Sequence, residues 1–169
     1  RLRKKIAVVP QKAVLFSGTI RENMKWGGDN ITDEQIWRAL KISQAYEFVE
    51  KLENGLDYKI LQGGKNLSGG QKQRLTIARA IAADPEILIL DDSASALDFA
   101  TDAKLRTAIK ENCSDMTVFI ISQRANTVKN ADQIIVLDDG KTVGIGTHKE
   151  LLQSCTDYCQ ICLTQFSAE

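Results

Sequence analysis

Several features that would place the sequence in a specialised class of protein are missing. Lysine and arginine number 22 and aspartate and glutamate also number 22, so no net charge favours nucleic acid as a partner. No apolar run approaches the roughly 20 residues that a membrane-spanning helix needs. No signal-peptide pattern occurs, and the first residue is not methionine. With 43% hydrophobic and 26% charged residues, the 169 residues predict an ordinary folded domain with a core.

Cysteine is scarce, but three of the four cysteines are close together in the sequence. Cys155, Cys159 and Cys162 have the C-x₃-C-x₂-C spacing with which radical-SAM enzymes hold an iron–sulfur cluster. Here the motif lies near the C-terminal end within a helical pattern, and no barrel of strands follows it to carry such a cofactor. We therefore expect packed or free thiols rather than a cluster.

The chain also lacks the phosphate-binding motif G-x-x-x-x-G-K-[ST], the P-loop. Gly140, Lys141 and Thr142 supply its last three letters, but Ile135 stands where its first glycine is needed. The surrounding pattern predicts a strand and a hairpin instead. The chain alone is therefore without the lysine and the backbone cradle that bind the β- and γ-phosphates of a nucleotide.

What the sequence does contain is concentrated in residues 67–98, and this segment opens with a glycine-rich helix start. Ser68, Gly69 and Gly70 precede a helical pattern that includes Leu75. The first N–H groups of a helix have no partner within it, and glycines leave them accessible with the helix dipole behind them. The pattern predicts an anion site, and phosphate is the anion we expect.

An acidic strand end follows the helix. Asp84-Pro85 ends the helical pattern, because the residue before a proline leaves the α region. The apolar run of residues 87–90 predicts a fully buried strand. It stops at Asp91 and Asp92, at the C-terminal strand end where open α/β sheets bind ligands. Carboxylates in that place suit a hard cation such as Mg²⁺.

Together these segments resemble the ABC-type ATPases. LSGGQ at 67–71 matches the signature motif of that family, ILILD at 87–91 matches its Walker B strand, and SALD at 95–98 matches its D-loop. Gln11 stands at the Q-loop position, and KAVLFSGTIRENM at 12–24 resembles the exporter version of the segment after the Q-loop. One of these motifs alone would be weak evidence, whereas all of them in this order are highly specific.

The resemblance implies an α/β fold, a partial P-loop NTPase core of the ABC ATPase type with an α-helical subdomain inserted. It divides the chain into a core strand with the Q-loop at 1–16, a helical subdomain with the signature helix at 17–83, and the rest of the RecA-like core with the C-terminal helices at 84–169. Because the family's P-loop precedes its Q-loop, we expect the C-terminal portion of a nucleotide-binding domain. Alone, it should bind ATP weakly or not at all.

The resemblance also implies which residues contact the nucleotide and its metal. Mg²⁺ is expected at Asp91 together with Gln11. The contacts to ATP are expected from the Q-loop, the signature motif and the D-loop: Gln11, Leu67, Ser68, Gly69, Gly70, Gln71 and Asp98.

Two catalytic positions depart from the family pattern. Asp92 stands where the family has the glutamate that orients the attacking water, and Gln123 stands at the switch position, normally histidine. The shorter aspartate draws its carboxylate back by roughly 1 Å, and a misplacement on that scale can cost on the order of a hundredfold in rate. Glutamine can hydrogen-bond a γ-phosphate but cannot carry a proton or a positive charge. Both changes weaken hydrolysis at the same site.

These departures suggest one half of a heterodimeric exporter. In the family two nucleotide-binding domains pair head to tail, and each signature motif closes over ATP held by the other domain. Ser68, Gly69 and Gly70 would then complete the partner's site, while Asp92 and Gln123 face a site that binds ATP but hardly hydrolyses it. The implied partners are a second nucleotide-binding domain, a transmembrane domain and ATP with Mg²⁺. The implied location is the cytoplasmic face of the cell membrane.

Other functions remain to be separated from this one. Chromosome-type ABC proteins interrupt the domain with a long coiled coil, whereas only 55 residues without heptads separate Gln11 from Leu67. The ribosome-acting class lacks the exporter-like LFSGTIREN, and the neutral charge gives no attraction to RNA. A third alternative is a regulatory module whose altered site serves only for nucleotide-dependent dimerisation.

The remaining elements are predicted from local patterns. Capping boxes at Thr19, Thr32 and Thr147 each predict a helix start. Residues 117–121 predict a buried strand. Asp138-Asp139-Gly140-Lys141 predicts the turn of a β-hairpin. His148, the single histidine, is expected to be an exposed residue in the first turn of a helix rather than a catalytic base.

Overall fold

The computed structural model describes residues 5–28 and 30–166. It divides into two compact units, a first unit up to Ile121 and a second unit from Ser122. Parts of the predicted ranges 1–16, 17–83 and 84–169, namely residues 1–4, 29 and 167–169, lie outside the described residues.

Strands and helices alternate in the order expected of an α/β fold with a helical insertion. In chain order they are β1 (Ile6–Val9), β2 (Gly18–Thr19), α1 (Ile20–Lys25), α2 (Asp33–Ile42), α3 (Tyr46–Glu50), β3 (Lys59–Ile60), α4 (Gly69–Ala82), β4 (Ile87–Asp91), α5 (Phe99–Asn112), β5 (Thr117–Ile121), α6 (Ala125–Val128), β6 (Ile134–Asp138), β7 (Lys141–Gly146), α7 (His148–Ser154) and α8 (Thr156–Phe166).

The first unit is built on a parallel sheet with β4 between β1 and β5. Val9 of β1 pairs with Leu90 of β4, and Asp91 of β4 pairs with Ile121 of β5. Parallel strands end at the same edge of a sheet. The chain that leaves β1 towards Gln11 therefore emerges beside the acidic end of β4.

A helical layer lies between β1 and α4 in the sequence and packs against α4. The capping boxes predicted at Thr19 and Thr32 are confirmed at the starts of α1 and α2. Both helices contact α4, whose Leu75 and Ile77 are fully buried. Asp84, with φ of 49°, turns the chain out of α4 before Pro85, as predicted.

Neither β4 nor β5 is buried on both faces, so the predictions of a fully buried strand at 87–90 and of a buried strand at 117–121 were wrong. In β4, Leu88 is fully buried, whereas Ile87 and Ile89 are partly exposed. In β5, Phe119 is 52% exposed and Ile121 is 54% exposed. Successive side chains of a strand point to opposite faces. Among the described residues, the core that includes α4 and α5 covers one of these faces.

The second unit is a β-hairpin packed on two helices. The predicted hairpin is confirmed, and Asp139 and Gly140, with φ of 44° and 71°, form its turn between β6 and β7. Its buried face meets α7 and α8 closely. A Cβ on Gly144 would lie 2.9 Å from Cys155 Sγ, so the hairpin approaches the helix where a side chain is absent.

His148 is not the exposed residue that the sequence predicts. The capping box at Thr147 is confirmed, but the His148 ring is half-buried beside it. Its Nδ1 lies 2.9 Å from the hydroxyl of Tyr158, and the two rings meet edge to face. The pairing follows from the fold of α8 back onto α7, which a pattern in α7 alone cannot reveal.

Cys155, Cys159 and Cys162 lie in the same part of the second unit. Cys155 and Cys162 are buried and Cys159 is half-buried, and all three are free thiols. Within residues 5–28 and 30–166, no three histidine, cysteine or carboxylate side chains are grouped to hold a metal ion. In the same ranges, no helix has both the length and the hydrophobicity to cross a bilayer.

Candidate nucleotide-binding site

The start of α4 is exposed, as a site for an external anion requires. Ser68 and Gly69 are exposed, whereas Leu67 is buried and anchors the chain just before them. Apart from its own helix and chain neighbours, no described atom lies within 4 Å of a Cβ built on Gly69. The first-turn N–H groups have no partner within the helix and lie at the positive end of its dipole.

A capping box that the sequence reasoning missed shapes this helix start. Ser68 Oγ accepts a hydrogen bond from Gln71 N at 3.2 Å, and Gln71 Oε1 accepts one from Ser68 N at 2.9 Å. The signal was present as S-x-x-Q. The box uses the Gln71 N–H internally, which leaves the N–H groups of Gly69 and Gly70 for a ligand. The Ser68 hydroxyl accepts in the box and retains its own hydrogen to donate.

The D-loop segment, residues 95–98, packs directly behind the signature motif. A Cβ on Gly70 would lie 3.5 Å from the carbonyl oxygen of Ala96 and 4.0 Å from Leu97 Cδ2. Asp98 caps α5 by accepting hydrogen bonds from Thr101 N at 2.9 Å and Thr101 Oγ1 at 2.7 Å. These bonds, the backbone one first, lower the pKa of the Asp98 carboxyl below its ordinary value. Two of the predicted motifs thus form one surface.

Arg74 is a structural link of this surface that the sequence reasoning did not identify. Its Nη1 donates to the carbonyl of Gln44 at 2.9 Å, and its Nε donates to the carbonyl of Gly70 at 3.3 Å. The guanidinium also lies 5.0 Å from the ring centroid of Phe48. Burial lowers the pKa of Arg74, and the nearby charge of Asp98 opposes that shift. The one sequence signal was an arginine four residues after Gly70 on the same helix.

The acidic strand end presents one exposed and one half-buried carboxylate. Asp91 is exposed at the last position of β4. Asp92 follows with φ of 44°, in the left-handed region that aspartate tolerates better than most residues. Its N–H donates to the carbonyl of Ile121 at 2.8 Å, and its own carbonyl accepts from Ser95 Oγ at 2.8 Å. The backbone of Asp92 is therefore fixed to β5 and to the following turn.

The loop of residues 10–17, here called the Gln11 loop, meets this strand end. Gln11 Nε2 donates a hydrogen bond of 2.9 Å to Asp92 Oδ2. Further along, buried Asn23 bonds both the N–H and the carbonyl of Phe16. An amide oxygen from Gln11 and a carboxylate from Asp91 are both oxygen ligands, the chemistry that suits Mg²⁺. The metal role of both residues stays a prediction.

Gln123 lies in the second unit. Its side chain is exposed, and its carbonyl accepts a hydrogen bond from Gln165 Nε2 at 2.7 Å. The same Gln165 accepts from the N–H of Ala125 through Oε1, so α8 holds the segment that carries Gln123. Its assignment to the switch position stays a prediction.

Comparisons with known proteins agree with the fold. The sequence model of the family described as ABC transporter matches residues 1–95. A Bacillus subtilis protein named as an uncharacterized ABC transporter ATP-binding protein, YfiB, is 49% identical over 99% of this chain. An ATP-dependent lipid A-core flippase of Desulfotalea psychrophila is 45% identical over 93% of it. The solved structure of a bacterial Atm1-family ABC exporter with ATP bound superimposes on 96% of the chain, with a TM-score of 0.91 and 34% identity.

The chain spans less than a third of each of these proteins, namely 29% of the Bacillus protein, 27% of the flippase and 29% of the exporter chain. Its α/β fold is that of the ABC ATPase domain of an exporter. Since the family's sequence model covers residues 1–95 of 169, more than half of the sequence, the chain belongs to the ABC transporter family.

Proposed function

We propose that this chain is part of a nucleotide-binding domain of an ABC exporter, and that its signature motif completes an ATP site whose phosphate cradle belongs to a second such domain. The observation that carries the proposal is the open start of α4, where Ser68 is exposed and a Cβ on Gly69 would meet open space. An outward-facing helix start suits a phosphate that is held by another domain.

The transport class follows from the relatives. One of them is named as an ATP-dependent flippase and one as an exporter with ATP bound. By analogy, this chain works at the cytoplasmic face of a membrane, and its helical segment, α1 to α3, docks on a transmembrane domain. The domain division at residues 16 and 83 belongs to the same proposal.

The chain's own acidic strand end forms the second part of the proposal, a site that binds nucleotide but hydrolyses it slowly. Asp91 and Gln11 would hold Mg²⁺, which when bound neutralises phosphate charge. Asp92 has the shorter side chain, and its carboxylate already accepts a hydrogen bond from Gln11. Gln123 offers a hydrogen bond but no proton or charge. Asp92 and Gln123 would therefore activate the attacking water poorly.

The test compares turnover of ATP by the full-length protein assembled with its partner domain. Ser68→Ala and Gly69→Asp should abolish turnover, because each removes or blocks a phosphate contact at the site that hydrolyses. Asp92→Ala should retain most of the turnover, because that activity belongs to the opposite site. The reverse pattern, with Asp92 essential and Ser68 dispensable, would overturn the assignment.

Thr32→Ala is the matched control. It removes the same kind of capping box from α2 that Ser68→Ala removes from α4. Loss of such a cap costs about 1 kcal/mol of stability. Equal loss of turnover in both variants would mean that Ser68 acts only through stability.

A dimerisation module without hydrolysis is the second candidate, and the two altered positions, Asp92 and Gln123, favour it. Nucleotide-dependent pairing with no partner-dependent hydrolysis would support this module instead of the exporter.

A further inference from the structure

The hydrogen bond between Gln11 and Asp92 joins two segments that are 81 residues apart in the sequence. Gln11 Nε2 donates to Asp92 Oδ2 at 2.9 Å. An ionised carboxylate has no hydrogen to donate, so the Gln11 amide must present its nitrogen to Asp92 and its oxygen away from it. The contact therefore determines which way the amide faces.

Asp92 is the fixed partner of this pair. Its N–H bonds the carbonyl of Ile121 in β5, and its carbonyl accepts from both the N–H and the hydroxyl of Ser95, at 3.2 and 2.8 Å. With its φ at 44°, its backbone is held in the left-handed region by these bonds. The short side chain then has little freedom. A glutamate at this backbone position would place its carboxylate one bond length further out.

Gln11 is the less constrained partner of the pair. Its side chain is exposed in a loop, two residues after the end of β1. The other side of that loop is held at Val14, whose carbonyl accepts from Arg79 Nη2 at 3.0 Å. Between Val9 and Val14, the side chain of Gln11 ties the loop to the acidic strand end through its bond to Asp92.

We infer that Asp92 anchors the Gln11 loop. It is a positioning residue that turns the Gln11 amide oxygen away from itself, so that the oxygen is free to face a cation at Asp91. The shorter side chain of Asp92 thus extends less far towards an attacking water than a glutamate would, but it binds the Gln11 loop. Only the purpose of the anchor rests on the proposed function, because the anchor itself rests on the hydrogen bond between Gln11 and Asp92.

The test is hydrogen–deuterium exchange of the nucleotide-free, full-length protein. In Asp92→Ala, the amides of the Gln11 loop should exchange about threefold faster, the effect of losing one exposed hydrogen bond to a charged group. Asp92→Asn keeps an acceptor oxygen and should preserve the protection of the loop. Gln11→Ala should match Asp92→Ala, and the double variant should exchange no faster than either single variant.

The contrast between alanine and asparagine separates anchoring from general loosening. Unchanged exchange of the loop in Asp92→Ala would overturn the inference, and so would equal loss of protection in Asp92→Asn. Additive effects in the double variant would also overturn it. The amides of α4 serve as the internal control, and faster exchange there together with the loop would show a folding defect instead of a lost anchor, which also counts against the inference.

The exchange pattern and the turnover pattern are independent. Loss of protection restricted to the loop, together with turnover that does not depend on Ser68, would refute the proposed function and leave the anchor standing. Partner-dependent turnover of ATP with unchanged exchange of the Gln11 loop in Asp92→Ala would refute the anchor and leave the proposed function standing.

Discussion

Replacement of Arg74 by alanine should destabilise the first unit by removing three contacts at once. Arg74 bonds the carbonyls of Gln44 and Gly70 and lies over the ring of Phe48. It therefore connects the turn after α2, the helix α3 and the start of α4. Gln44 has φ of 61°, so the turn it occupies depends on such bonds.

The magnitude follows from the three contacts. A hydrogen bond from a charged donor contributes about 1.5–3 kcal/mol, and the half-buried position of Arg74 favours the lower end. The bond to Gln44, at 2.9 Å, is a full one, whereas the bond to Gly70, at 3.3 Å, is weak. The contact with Phe48 adds about 0.5–1 kcal/mol. We expect Arg74→Ala to lose about 2–3 kcal/mol of the free energy of unfolding.

Urea denaturation of the chain measures this loss, with Arg74→Lys and Arg38→Ala as comparisons. Lysine is a point charge without the planar fork, so Arg74→Lys should lose about 1 kcal/mol. Arg38 is exposed and donates to the carbonyl of Asn112 at 2.7 Å. Its replacement should cost about 0.5 kcal/mol. A loss below that value for Arg74→Ala, or a lysine variant as stable as the original, would refute the reasoning.

Two further predictions concern the second unit. Gly144→Ala should lower the free energy of unfolding by about 1–2 kcal/mol, because the added Cβ would meet Cys155 Sγ at 2.9 Å. In urea denaturation, adding Cys155→Ala should recover part of that loss, and a Gly144→Ala variant more stable than the original would contradict the packing. Burial, with Cys162 nearby, raises the pKa of Tyr158 from 10.0 to about 12. Its contribution to stability is therefore complete below pH 10 and is lost as the pH rises towards 12; phenolate absorbance follows the titration, and Tyr158→Phe should remove this pH dependence.

Locally encoded features were predicted well from the sequence. The capping boxes at Thr19, Thr32 and Thr147 lie where their four-residue patterns place them, because each box is closed by bonds between neighbours. The hairpin turn at Asp139-Gly140 is likewise a property of a few adjacent residues. The α/β class and the family fold followed from motifs that are specific as a set.

Features that depend on distant parts of the chain were not predictable in the same way. Phe119 is exposed because burial depends on what covers the other face of the sheet, and an apolar run does not carry that information. The pairing of Gln11 with Asp92 depends on the parallel register of β1 and β4. The role of Arg74 depends on where the turn at Gln44 comes to lie. The roles assigned to the nucleotide and metal residues stay predictions.

The stacking of Trp26 on Phe16 provides an optical reporter within the protein. The rings lie 4.2 Å apart between centroids with 22° between their planes, and Trp26 is 69% exposed. The sequence has only one other tryptophan, Trp37, which packs against Tyr46 in the helical layer. Displacement of Phe16 would remove a stacked ring from the surroundings of Trp26 and thereby alter the fluorescence of Trp26. Rearrangement of the segment after Gln11 can thus be followed in real time without a dye or a label.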